Sequence, residues 1–173
     1  MNKKKDLLDV FEGKKFNVDE AKKIAIALER TGFRFYSAMK DRVQNERVHT
    51  VFAKMAEEER KHVSDIEAML DDPDSEWYLD PSMEEMVLRY FEDYMEGGVF
   101  PSGPEAEAAT MTLADEVQAV SMAHSFEEDA VRFYSQMVQK ATDPETRKAF
   151  EELVAFEKGH VATLGNLLKV LQP

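Results

Sequence analysis

The stretch Glu29-Arg30-Thr31-Gly32-Phe33-Arg34-Phe35-Tyr36 returns as Glu127-Glu128-Asp129-Ala130-Val131-Arg132-Phe133-Tyr134, 98 positions further along the chain. The same offset lays Glu59-Arg60-Lys61-His62-Val63 over Glu157-Lys158-Gly159-His160-Val161, and Phe52 over Phe150. Each half therefore carries a lone glutamate and, further on, a Glu-x-x-His. Four carboxylates and two imidazoles in this pattern are the ligand set of a two-metal site inside a four-helix bundle. The metal-ligand candidates are Glu29, Glu59, His62, Glu127, Glu157 and His160.

Helical spacing of apolar residues dominates the rest of the chain, and strand signals are scarce. Asn17-Val18-Asp19-Glu20 reads as a capping box, starting a helix that runs through Ile24, Leu28, Phe35 and Met39 to about Gln44. A second helix follows almost at once, from about Arg47 to Leu70, so the pair is antiparallel. Asp71-Asp72-Pro73-Asp74-Ser75 ends it and opens a long connection, in which Met83 to Glu96 could form a shorter helix. A third long helix is expected from about Leu113 to Lys140. Asp143 then caps a fourth, with Pro144 at its first position, reaching about Leu171. The expectation is an all-α, single-domain, ferritin-like four-helix bundle. Its parts are a hairpin at 17–70, a crossover at 71–111 containing a short extra helix, and a hairpin at 112–171.

Two geometric arguments bring the six candidates together. Each of the four glutamates lies about 14 to 16 residues from the turn of its hairpin, some 21 to 24 Å at the rise of an α-helix. All four fall near one height. The spacing of three in each Glu-x-x-His puts carboxylate and imidazole on one face. Gly32 and Ala130 follow the lone glutamates by three and leave room beside them. Tyr36 and Tyr134 follow by seven, where a hydroxyl can reach a buried ligand carboxylate or a bound oxygen species. Four carboxylates in an apolar bundle repel one another and lose hydration, and two divalent cations would neutralise them. Without metal, some of these carboxyls are expected to be protonated, or the middle of the bundle to loosen. Glu46-Arg47-Val48-His49 is also a Glu-x-x-His, but its repeat mates are Pro144 and Arg147, so it reads as surface. His124, three before Glu127, reads either as an extra ligand or as a helix histidine satisfied by a neighbour.

Composition narrows the function further. The 173 residues have a formal net charge of −13, which argues against nucleic acid and anionic membranes as partners. No apolar run is long enough to cross a membrane, and Lys3-Lys4-Lys5 precedes too short an apolar run for a signal peptide, so a cytoplasmic protein is expected. There is no cysteine, hence no disulfide, thiolate zinc site or iron–sulfur centre. Any redox metal must use oxygen and nitrogen ligands.

At these six residues the chain resembles the ferritin-like superfamily of di-iron carboxylate proteins, and within it the rubrerythrin-like members. The resemblance implies that Glu59 and Glu157 bridge two iron ions, while Glu29 with His62 and Glu127 with His160 cap one each. It implies peroxide or dioxygen as oxidant, with Glu59, Glu157, Tyr36 and Tyr134 as the catalytic set. Rubrerythrins take electrons through a fused rubredoxin domain; a chain without cysteine would need a separate electron-donor protein. They also carry an additional glutamate on the third helix, where this chain has His124 and Ala130 a turn either side of Glu127. The short fifth helix of ferritin cages has no counterpart, so a storage cage is not expected. Manganese or a mixed pair also suits such ligands, and a homodimer is expected from the family and from base rates. The rival readings are an iron-binding or buffering protein without sustained catalysis, and a structural helical module with a vestigial site.

Overall fold

A computed structural model describes residues 18–68 and 113–172. These form four α-helices: α1 (Val18–Lys40), α2 (Glu46–Glu67), α3 (Leu113–Lys140) and α4 (Pro144–Leu171). No strand occurs among the described residues. The expected shorter helix at 83–96, the rest of the crossover and the capping residue Asn17 lie outside them.

Each hairpin packs along its length, α1 on α2 and α3 on α4, and the hairpins meet through α1 against α3 and α2 against α4. Tyr36 reaches Glu127 while Tyr134 reaches Glu29, so α1 and α3 run antiparallel. Glu58 reaches His160 while His62 meets Phe156, so α2 and α4 do too. Hence α2 and α3 run parallel, and the end of α2 and the start of α3 lie at opposite ends of the bundle. That is the ferritin-like arrangement with one long crossover. None of the described helices is long and apolar enough to cross a membrane.

The first helix ends earlier than its apolar spacing suggested, at Lys40 rather than near Gln44. The reason sits on another helix. The buried Glu116 of α3 accepts hydrogen bonds from the backbone of Gln44 (2.5 Å) and Asn45 (3.1 Å), holding the 41–45 turn away from helical geometry. Asn45 then caps α2 by accepting from the backbone of Arg47 and Val48. In the second hairpin Asp143 caps α4 by accepting from Thr146 N at 2.7 Å, with Pro144 at the first turn, as the sequence implied. His49 of the extra Glu-x-x-His is exposed.

The core repeats along with the sequence. Phe35 and its mate Phe133, Phe52 and Phe150, Tyr36 and Tyr134 are all buried. Tyr36 packs against Phe35 and Phe52, with ring centroids 5.1 and 5.5 Å away. Tyr134 packs against Phe133 and Phe150, at 5.6 and 6.1 Å. Each tyrosine is thus held from behind by two phenylalanines, leaving its hydroxyl to face the middle of the bundle. Met39, Met55, Met122 and Met137 are buried in the same core.

The Asp143 carboxyl lies below its ordinary range because the backbone N–H and side chain of Thr146 bond its charged form. Its stabilising contribution is present above the ordinary Asp value and lost as pH falls through the lowered one. Asp143→Ala is therefore expected to lower the melting temperature at neutral pH, by a deficit that shrinks as pH falls below the ordinary Asp value and through the lowered one. Thermal melts followed by circular dichroism at neutral and progressively acidic pH check this.

Candidate metal centre

Glu29, Glu59, His62, Glu127, Glu157 and His160 come together in the middle of the bundle, each at most 5% exposed. One helix supplies each part: Glu29 from α1, Glu59 and His62 from α2, Glu127 from α3, Glu157 and His160 from α4. Ligand-type atoms of Glu29, Glu59, His62 and Glu157 all lie within 4.8 Å of one another, as do those of Glu59, Glu127, Glu157 and His160. Two such groups, overlapping at Glu59 and Glu157, outline two adjacent candidate cation positions.

Both histidines turn Nδ1 toward the carboxylates. His62 Nδ1 is 3.0 Å from Glu29 Oε2 and 3.8 Å from both Glu59 Oε2 and Glu157 Oε1. His160 Nδ1 is 3.1 Å from Glu157 Oε2, 3.3 Å from Glu59 Oε1 and 3.8 Å from Glu127 Oε2. The tyrosines cross between the halves: Tyr36 of α1 donates to Glu127 Oε1, and Tyr134 of α3 donates to Glu29 Oε1. Of the two partners expected for these hydroxyls, each has the carboxylate.

Electrostatics divides the four carboxyls into two kinds. Burial drives Glu59 well above the usual carboxylate range, and the charges of Glu29 and Glu127 push it further. Glu157 is raised in the same way, by burial and then by Glu29, Glu127 and Glu59. Burial also acts to raise Glu29, but hydrogen bonds from Glu59 and His62, with the charge of His62, bring it below its ordinary value. Glu127 is lowered likewise by His160, Glu157 and Tyr36. Burial works against charge on both histidines, yet Glu29 holds His62 above its usual value, and Glu127, Glu157 and Glu59 do the same for His160. Burial and the neighbouring carboxylates keep both phenols protonated far above their usual range. Protons thus stand in for positive charge at the two central carboxyls, where the two cation positions overlap.

One polar atom of the cluster is left over. Glu157 Oε1 is buried and has no hydrogen-bond partner among the described residues. Such an orphaned acceptor costs about 1–3 kcal/mol. It sits in the group formed with Glu29, Glu59 and His62, where a cation would satisfy it. The residues present therefore fit a pair of divalent ions by donor type, number and unmet demand.

On the side away from the histidines, a cavity of about 40 Å³ lies between α1 and α3. Thr31, Gly32, Phe35, Phe126 and Ala130 form its walls, and Glu29, Glu59, Glu127 and Glu157 line it. It has room for about three water-sized molecules. His124 stays out of the cluster: it lies 3.8 Å from Glu128 and packs over Gly165 of α4. Glu58, which from sequence reads as solvated or paired with Arg or Lys, does pair with Lys54 at 3.2 Å, and it is also half-buried with Oε2 3.4 Å from His160 Nε2.

The family model for rubrerythrin matches residues 21–168, which includes all six residues. The chain belongs to the rubrerythrin family. A solved structure of a hypothetical protein from Pyrococcus furiosus has the same fold, with a TM-score of 0.69 at 21% identity over 94% of each chain. No curated protein matches the chain.

The carboxyls of this rubrerythrin-family centre respond to pH in opposite directions. Glu59 and Glu157, held above their ordinary values, contribute stability at low pH that is lost as pH rises through the raised values. Glu29 and Glu127, held below theirs, contribute stability lost as pH falls. In the metal-free protein Glu59→Gln, which cannot ionise, should melt close to the parent in mildly acidic buffer and above it in alkaline buffer. Melting curves in chelator across pH check this; a constant difference would show that Glu59 is not protonated in the fold.

Proposed function

We propose that this chain is a non-haem di-iron protein that reduces peroxide or dioxygen with electrons from a separate donor. The observation that carries the reading is the convergence of six buried Glu and His side chains around an acceptor left unsatisfied at Glu157 Oε1. Glu59 and Glu157, shared between the two groups, would bridge the metals. Glu29 with His62 would hold one, and Glu127 with His160 the other. Two ferrous ions would supply the two electrons that, with two protons, convert one hydrogen peroxide into two waters. Manganese suits the same oxygen and nitrogen donors.

The protein's own groups do the rest. Tyr36 and Tyr134 fix the two outer carboxylates through their crossed hydrogen bonds and retain their protons, so they remain donors. The cavity between α1 and α3 would admit an oxidant as small as peroxide or dioxygen to the metal face opposite the histidines. Phe35 and Phe126 form aromatic parts of its wall. Electrons would arrive from a separate donor. A cytoplasmic homodimer belongs to the same reading.

The protein purified without oxygen should take up two ferrous ions per chain. Stoichiometric peroxide should oxidise them faster than air does, and reductant should restore them over several cycles, as followed by the optical spectrum. Glu59→Ala with Glu157→Ala should abolish uptake; a double variant retaining two ions would sink the assignment. Iron that oxidises once and does not cycle would instead support binding without turnover.

A further inference from the structure

The 98-residue repeat that equates the ligands breaks beside each histidine. Glu58 of α2 and Phe156 of α4 are repeat mates, and each lies against the histidine of the opposite hairpin. Glu58 Oε2 is 3.4 Å from His160 Nε2. Phe156 lays its ring on His62, with centroids 4.8 Å apart and planes at 47°. The same place in the two halves thus holds an anion on one side and an apolar ring on the other.

Building on the di-metal reading, we infer that the two cation positions are unequal: the half of Glu127 and His160, backed by Glu58, binds more tightly than the half of Glu29 and His62, covered by Phe156. The physical basis is the second nitrogen of each imidazole. The Glu58 carboxylate, 3.4 Å from Nε2, favours the proton on that nitrogen, leaves the Nδ1 lone pair facing the carboxylate cluster, and makes Nδ1 a stronger donor. It also adds negative charge close to one cation position and not the other. Phe156 has no acceptor to offer; it shields His62 while remaining 46% exposed itself. Lys54 Nζ, 3.2 Å from Glu58 Oε1, offsets part of the added charge. The effect therefore belongs near tenfold, the lower end of what such outer partners contribute to metal affinity. Glu58 acts through His160 and is a positioning residue.

Cobalt(II) titration of the metal-free full chain, read by calorimetry and by the visible ligand-field bands, tests this. The parent should bind two ions in separate steps. His160→Ala should remove the tighter step, and His62→Ala should spare it. Glu58→Gln should weaken the tighter step about tenfold and leave the other in place, with an unchanged far-UV spectrum. Phe156→Glu, at an exposed position, should tighten the weaker step and bring the two together. Two indistinguishable steps in the parent, or a Glu58→Gln change spread equally over both, would overturn the inequality while leaving the two-metal site intact. Failure to bind cobalt at all would overturn both.

Discussion

Mutual repulsion among four buried carboxylates is the constraint to which the rest of the bundle answers. Glu29, Glu59, Glu127 and Glu157 come from four different helices, so packing the helices brings their charges together, and burial removes the water that would screen them. The fold answers in two ways without any bound ion. The outer pair, Glu29 and Glu127, each gain a tyrosine hydroxyl and a histidine in reach. The central pair, Glu59 and Glu157, gain less and are pushed toward the protonated form. The protons lie where a dication would be most favourable, between the two halves. A proton carries one charge and one hydrogen bond, whereas a divalent ion satisfies several oxygens at once, including the orphaned Glu157 Oε1.

The crossed tyrosines tie the same constraint to the architecture. The hairpins are each continuous and well packed, and they meet through α1–α3 and α2–α4. Tyr36 and Tyr134 bridge the first contact from opposite directions, each aligned by two phenylalanines of its own half. The second contact is bridged by His62 and His160, whose rings lie 5.8 Å apart and reach carboxylates across the hairpins. The hairpins are thus joined at mid-height by the cluster's polar groups as well as by apolar packing. Association of the hairpins and assembly of the site are one event, since neither hairpin contains a complete cation position.

Much of this was legible in the sequence because the repeat offset is constant. Once Glu29 maps on Glu127 and His62 on His160, two-fold pseudosymmetry and helical spacing place all six at one height without knowledge of the crossover. The end of α3 and the start of α4 were legible for a local reason: Asp143 and Pro144 are a cap and a first-turn residue that need no partner outside the turn. The end of α1 was not, because Glu116, more than seventy residues away, sets it. The contact of Glu58 with His160 was not legible for a similar reason. Glu58 precedes a ligand in a run of three glutamates, and nothing local distinguishes it from Glu57, which pairs with Arg60 at the surface. The available signal was the mismatch at the repeat offset, Glu58 against Phe156, which departs from symmetry where the ligands keep it.

That departure fits a second one on the opposite face. Gly32 of α1 and Ala130 of α3 are also repeat mates, and both line the cavity. A Cβ at Gly32 would lie 3.2 Å from Glu59 Cδ, closer than such contacts normally come, and 3.4 Å from its Cγ and Oε2. Glu59 therefore rests against bare backbone on one side while His160 Nδ1 lies 3.3 Å from its Oε1. Ala130 keeps its methyl. The small residues that open the cavity and the outer partners that back the histidines are thus both mismatched between the halves, on opposite faces of one cluster. Symmetry is kept in the atoms that would touch metal and relaxed in those that tune them. Identical ligands demand identical backbone height and facing, so both halves must keep them. The neighbours have no such demand to meet, and through them the two halves of a symmetric cluster differ in their surroundings without any change in the six candidate ligands themselves.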